Sequence, residues 1–342
     1  MSTKNTDNQI QLNIQGSDPF EILASTREVI REAKFVSINE NAVKKTAEKI
    51  QKILSQNELV DDKYVFNSDS LEDDIQRRFV EAMMGFCYWA EEGKEKWTIE
   101  YPKNQIVKGG WYGVRASFQK EYEKNPLLFS PIYLQNISET DLKRIFEGVN
   151  GIDIPLLRER LFIIHETAEL LIEHFDGIAI NIIDRSQRDA VKLMKILYDV
   201  FPLFQDEAIY NKRMVIFLKL AHLFVYLVDQ TLKDYKLEGL KNMDQLAVFA
   251  DYKLPQVLRN FDIIEYKKEL ADKVDSFILL PQGSVEEIEI RSATIWSIEL
   301  LRQAIHDEYT SLQIGQAIWL LAQEYRDTVK MKPHHRTYTI YY

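Results

Sequence analysis

Cysteine is almost absent. Cys87 is the only one, which excludes an internal disulfide and fits a reducing, cytoplasmic compartment. Positive charge is the scarcer sign: 43 Lys and Arg face 53 Asp and Glu, a net charge of −10. That balance argues against non-specific binding to nucleic acid or to an anionic membrane, and an anionic ligand would need a local basic pocket. No apolar signal core is present in the polar residues 1–18, a stretch expected to be a disordered tail. The apolar run 214–228 is only 15 residues long and carries Lys219 inside it, too short and too interrupted to span a bilayer. Also missing are a G-x-G-x-x-G or P-loop signature for nucleotide cofactors, internal repeats, and any Pro- or Gly-rich linker. With 46% hydrophobic residues in 342, the expectation is a single compact domain over 19–342, mostly α.

What is present reads as helices. Helical patterns cover 20–35, 40–55, 71–92, 111–124, 155–175, 213–232 and 311–329. Shorter ones cover 255–261 and 266–275. Ser138 and Ser186-Gln187-Arg188-Asp189 read as N-terminal caps, and Ser284-Val285-Glu286-Glu287 is a full capping box for a helix to about 306. One place alternates instead. Lys96-Trp97-Thr98-Ile99-Glu100-Tyr101, the turn-like Pro102-Lys103-Asn104-Gln105 and then Ile106-Val107 predict a short β-hairpin near 96–108.

The stretch Phe249-Ala250-Asp251-Tyr252-Lys253-Leu254-Pro255-Gln256 is the least ordinary piece of the chain. A carboxylate lies between two aromatics, and the residue before a proline is pushed out of the helical region, so Leu254 reads as extended. Asp251 can simply cap a helix led by Pro255, or be a working group in a structured break. Lys219 lies in the apolar run 214–228 and, by helical spacing, shares a side with His222 and Tyr226. A buried lysine is rare unless paired. Lys219 therefore either snorkels to the surface or meets a carboxylate or an anionic ligand, a structural ion pair included.

Other candidates for chemistry fall away or stay open. His165-Glu166 opens like a zinc-protease helix, but position 169 is Glu, so the ligand count fails and no metal is expected. His334-His335 reads as a pair of loop histidines, and Cys87 as core rather than nucleophile. Glu289, Trp296 and Glu299 fall near one face of the 285–306 helix, either as an exposed acidic stripe over a packed tryptophan or as part of a site.

Taken in order, Phe86-Cys87-Tyr88-Trp89, Gly110-Trp111, Ile154-Pro155-Leu156-Leu157-Arg158-Glu159-Arg160, Phe217-Leu218-Lys219, Phe249 to Gln256, Glu289-Ile290-Arg291, and His335-Arg336 with Ile340-Tyr341-Tyr342 make a combination that resembles the queuosine salvage protein family, the queuosine 5′-phosphate N-glycosylases. The resemblance implies a fold related to helix–hairpin–helix DNA glycosylases. The substrate it implies is queuosine 5′-monophosphate, hydrolysed to queuine and ribose 5-phosphate without a cofactor. Asp251 and Lys219 are then the catalytic pair of residues: Asp251 stabilises or attacks the sugar, and Lys219 pairs with Asp251 or holds the 5′-phosphate. Phe249, Tyr252, Tyr64, Glu289, Arg291, Trp296, Trp319 and Arg336 are the implied substrate-binding residues, Phe249 as an aromatic face and the arginines for phosphate. The chain departs from the family pattern at Gly315 and Leu320, around Trp319, where that pattern is acidic. It departs also at Gly85, and at Tyr64, near a histidine of the pattern. Two other readings compete: a helical protein-interaction scaffold, and a glycosylase acting on nucleic acid. The second lacks the Gly-rich Leu-Pro-x-Gly hairpin that grips DNA, since Gln256-Val257-Leu258 follows Leu254-Pro255. Partners are expected to be small molecules, with no nucleic acid and no membrane; oligomeric state stays open.

Overall fold

The structure is a computed structural model that describes residues 10–56, 68, 70–306, 308–328 and 331–342. Among these residues it is mostly helical, with fourteen α-helices and six short strands. No helix of the described residues is long and apolar enough to cross a membrane. Of the tail expected to be disordered, residues 1–9 lie outside the described ones. Within 10–18, Leu12 is buried and the Asn13 carbonyl accepts from Gln303 Nε2 at 2.9 Å. The chain divides into two units. The first holds Met1–Leu59, Ala208–Phe217 and Asp244–His335; the second holds Val60–Glu207, Leu218–Met243 and Arg336–Tyr342.

In the first unit the helix Val285–Ala304 is the central rod. Helices Ile22–Glu32, Glu40–Ser55, Lys253–Asn260 and Ser311–Thr328 pack on it. Its start is capped at Ser284 as expected, with Ser284 Oγ accepting the Glu287 N–H at 3.3 Å; the Glu287 carboxylate accepts the N–H of Gly283, one residue before the cap, at 3.1 Å, rather than that of Ser284 itself. Strand Val36–Ile38 pairs antiparallel with Ile264–Tyr266, Ser37 opposite Glu265.

In the second unit Lys219–Asp234 packs against Leu71–Met83 and Ala190–Val200. Phe79 meets Phe201 and Phe224 edge-on at 5.3 and 5.2 Å. Helix Leu71–Met83 also carries a buried ion cluster, completed by Arg115 of the helix Gly110–Tyr122. Burial alone would raise the Glu81 carboxyl, but Arg78, Arg115 and Arg77 hold it below its ordinary value. The expected hairpin is present, with Ile99 opposite Val107 and Glu100 opposite Ile106.

Three sequence expectations change here. The apolar run does not start a helix at 213. Arg213–Ile216 is a strand, hairpinned with Glu207–Tyr210, and the helix begins at Lys219 after Leu218 turns left-handed at φ 53°. The helix from 71 ends at Met83, not near 92, because residues 84–90 form a loop. Leu254 is helical, not extended: Lys253–Asn260 starts ahead of Pro255, which lies in the first turn, where a missing N–H costs nothing.

Candidate functional site

Asp251 is the side chain that starts the helix Lys253–Asn260. Its Oδ1 accepts the backbone N–H groups of Lys253 at 2.7 Å and Leu254 at 2.9 Å, so the capping role read from the sequence is real. An anion at the N-terminal end of a helix is also favoured by the helix dipole. Asp251 lies between Phe249 and Tyr252, and all three are buried. The Tyr252 ring packs against His334, tilted by 36°, with centroids 4.7 Å apart. The segment is pressed against the helix Ser311–Thr328 at Gly315, where a Cβ would fall 2.3 Å from Val248 Cγ2. Gly315 is therefore the residue that lets the helix approach the Asp251 segment. Trp319 sits one turn further along that helix, half-buried.

Glu289 and Glu299 do not form an exposed stripe. Both are buried, and each is consumed by donors. Glu289 accepts the N–H groups of Lys34 and Phe35 at 2.9 and 2.7 Å and the Tyr210 hydroxyl at 3.0 Å. Burial and the facing Glu289 push the Tyr210 phenol up. Glu299 accepts from Arg302 Nη2 at 2.7 Å and Gln303 Nε2 at 3.0 Å. Trp296 between them is fully buried, and its Nε1 has no hydrogen-bond partner among the described residues. Arg291 is buried with its guanidinium 3.9 Å from the Phe217 ring centroid and 3.6 Å from Glu287 Oε1. The His335 imidazole, expected simply in a loop, is buried. Burial and the Arg291 charge push it down to about 3, so it is neutral.

The remaining candidates lie in the second unit. Lys219 is the first residue of its helix and is 5% exposed, so it does not snorkel. Its ammonium donates to the Gly85 carbonyl at 2.5 Å, and its backbone N–H donates to Asp206 Oδ2 at 3.1 Å. His222, one turn on, is buried and held neutral: burial pulls its imidazole down to about 4. Its Nδ1 bonds the Leu218 carbonyl at 2.8 Å, while Nε2 has no partner among the described residues. Arg336 is half-buried, 5.8 Å from the Trp89 ring centroid. Cys87 is buried with its thiol pushed up to about 11 by burial, as a core cysteine should be. Tyr64 lies outside the described residues. Reading the sequence did not find Asp206 or the Gly85 carbonyl; the signals were that Gly85 departs from the family pattern and stands next to the matching 86–89 stretch.

A family model described as Queuosine salvage protein matches residues 64–342. The chain belongs to the queuosine salvage protein family. A Sphaerobacter thermophilus protein named queuosine 5′-phosphate N-glycosylase/hydrolase is 34% identical over 329 residues, 95% of this chain and 98% of that protein. Proteins of the same name are 29% identical in Mus musculus, over 77% of this chain and 80% of that protein, and 28% identical in Dictyostelium discoideum, over 91% and 95%. The queuosine salvage match takes in every candidate residue named above, from Tyr64 at its first position to Arg336 near its end.

Proposed function

We propose that this chain hydrolyses the N-glycosidic bond of queuosine 5′-monophosphate and releases queuine and ribose 5-phosphate, returning the base for tRNA modification. The observation that carries this reading is near full-length similarity to proteins named for that activity. Breaking the bond builds positive charge on the sugar, as in O-glycoside hydrolysis. Water supplies the hydroxyl at C1′, and the departing base takes up a proton. Queuine is a 7-deazapurine, so protonation at a ring nitrogen in position 7 is not open to it, and sugar-side stabilisation carries more of the barrier. Asp251 is the proposed group beside C1′, acting on the oxocarbenium-like centre as an anion or as a nucleophile. In support, its carboxylate is already held in place by two backbone N–H groups.

Lys219 is the second proposed catalytic residue, a buried positive charge suited to an anionic substrate. Phe249 and Tyr252 offer aromatic faces for the base, and Arg291 and Arg336 the planar forks that phosphate favours. Tyr64, Glu289, Trp296 and Trp319 complete the proposed binding set. Glu289 would act there by fixing the Lys34–Phe35 backbone, since that is what its oxygens hold. The reaction so written needs no metal or cofactor. On fold, a relation to helix–hairpin–helix glycosylases is proposed as analogy, supported by the helical architecture and the Lys–Asp residue types. A small-molecule substrate, rather than nucleic acid, is favoured by the net charge of −10. The test is queuine release from queuosine 5′-monophosphate by the wild type and by Asp251→Ala, with AMP and GMP as controls. Release by the wild type alone, with both controls untouched, is the expected result. Equal release by both proteins would remove Asp251 from the chemistry, and no release by folded wild type would overturn the activity.

A further inference from the structure

We propose that Arg160 is a positioning residue for Lys219, acting through the backbone of the loop Met84–Cys87; this rests on the proposed catalytic part of Lys219. Four successive carbonyls of that loop are taken up by two buried cations. Arg160 Nη1 donates to Met84 O at 2.8 Å, and Nη2 donates to Phe86 O at 2.6 Å and Cys87 O at 3.1 Å. Lys219 Nζ takes the carbonyl left between them, Gly85 O, at 2.5 Å. Arg160 Nε donates to Pro155 O at 2.9 Å, which ties the fork to the start of its own helix, Leu157–Phe175. The guanidinium has no exposure and lies 4.0 Å from the Phe86 ring centroid. Its plane and direction are therefore set from several sides.

The loop has little freedom to go elsewhere. A Cβ on Gly85 would fall 2.8 Å from Leu223 Cδ2 and 3.2 Å from Leu220 Cδ2, so the loop is pressed onto the Lys219 helix itself. Cys87 is a non-glycine residue at φ 37°, a conformation that persists only where its surroundings hold it. Its carbonyl goes to Arg160, and its N–H goes to the Tyr342 carbonyl at 2.9 Å. Tyr88 Oη also donates to Met84 O, which the Phe86 N–H reaches at 2.9 Å as well, so the first carbonyl of the set accepts from three donors. A lysine ammonium at the first residue of a helix meets the positive end of the dipole. Its resting place is thus decided by the oxygens offered to it. Arg160 aims the carbonyls on either side of Gly85, and so aims Gly85 O at Lys219.

The experiment is a double-mutant cycle of Arg160→Lys and Lys219→Met. It is read by turnover of queuosine 5′-monophosphate and, independently of activity, by amide hydrogen exchange across Phe86–Tyr88. A lysine gathers its donors on one nitrogen and cannot reproduce the fork that Arg160 spreads over Nε, Nη1 and Nη2. Arg160→Lys should lower kcat by about 10- to 100-fold, as expected for a misplaced catalytic group, with KM changed by less than about threefold. In the Lys219→Met background the same substitution should cost nothing further, because positioning is worthless without the group positioned. Exchange across the loop should rise in each single variant, and by less than the product of the two in the double. Independent losses in both readouts would overturn the proposal, as would unchanged exchange in Arg160→Lys. Should Arg160→Lys not fold, Tyr88→Phe enters the cycle in its place, with a smaller loss of kcat expected and the same non-additivity. Should the wild type release no queuine, the activity reading fails alone, and the exchange arm still decides whether Arg160 and Lys219 hold the loop together.

Discussion

Two charged residues stand at two helix starts, one in each unit, and their backbones treat them oppositely. Asp251 precedes Lys253–Asn260 and is met by the N–H groups of Lys253 and Leu254. Helix and carboxylate suit each other, so the arrangement is locally self-consistent. Lys219 is the first residue of Lys219–Asp234, where the dipole disfavours a cation. There the N–H of Lys219 goes to Asp206, and the ammonium finds its oxygen on a loop 134 residues away in sequence. The carboxylate is held by its neighbours in the chain; the ammonium is held by the fold. A charge placed by local rules should tolerate distant substitutions, whereas one placed by the fold should be sensitive to them.

The sharpest test removes each charge. Asp251→Ala should lower queuine release by at least about 10³-fold, as for loss of a principal transition-state group, and should cost about 1 kcal/mol of stability through the lost cap. Asp251→Asn keeps an acceptor for the two N–H groups, so it should lose the activity and keep the stability. Turnover and thermal unfolding together separate the two jobs, and an active Asn variant would leave Asp251 with the cap alone.

Lys219→Met should have the next largest effect, about 10²-fold on kcat/KM. It also strands the buried Gly85 carbonyl, which should cost about 1–3 kcal/mol in urea denaturation. No loss of stability would mean the loop finds another donor.

A paired glycine test asks how tightly each segment is gripped. Gly315→Ala puts a methyl 2.3 Å from the stiff Val248 side chain beside the Asp251 segment, while Gly85→Ala puts one 2.8 Å from the movable end of Leu223. Gly315→Ala should cost more, at about 1–3 kcal/mol for overpacking, and the order is read directly from melting temperatures.

The effect that is smallest near neutral pH is a slope with pH, with one buried neutral histidine contributing from each unit. Both folded imidazoles titrate below the ordinary 6.5, His222 at about 4 and His335 at about 3. Their contribution is full above pH 6.5 and is lost as pH falls toward those values, because only the unfolded chain then takes up the protons. Stability should therefore fall by up to about 1.4 kcal/mol per pH unit per histidine in that window. His222→Gln should flatten the part between pH 6.5 and 4. An unchanged slope in urea denaturation would mean that His222 protonates without penalty.

Much of the scaffold was legible in the residues. The caps at Ser284 and Ser138 and the 99–107 hairpin follow from contacts a few residues apart. The errors have an equally physical origin. An unbroken apolar run satisfies helical and strand periodicity alike, so Arg213–Ile216 was indistinguishable from the helix after it until Leu218 turned left-handed. Glu289 and Glu299 look like surface acids because their spacing says nothing of their partners. The backbone donors to Glu289 lie 254 and 255 residues away. Arg160 stood in a matching segment, yet no local rule says that its fork reaches carbonyls 73 to 76 residues earlier.

The sequence by itself determined the helical class, the helix starts marked by Ser and Asp caps, and the place of Asp251 at one of them. These features depend on backbone groups that lie within a few residues of the side chain that satisfies them. Only the tertiary structure decided what the Lys219 ammonium touches, why Glu289 is buried, and which histidines are kept neutral. A buried charge is stable only where donors or acceptors from remote segments arrive to meet it, and that arrival is a property of the packed chain.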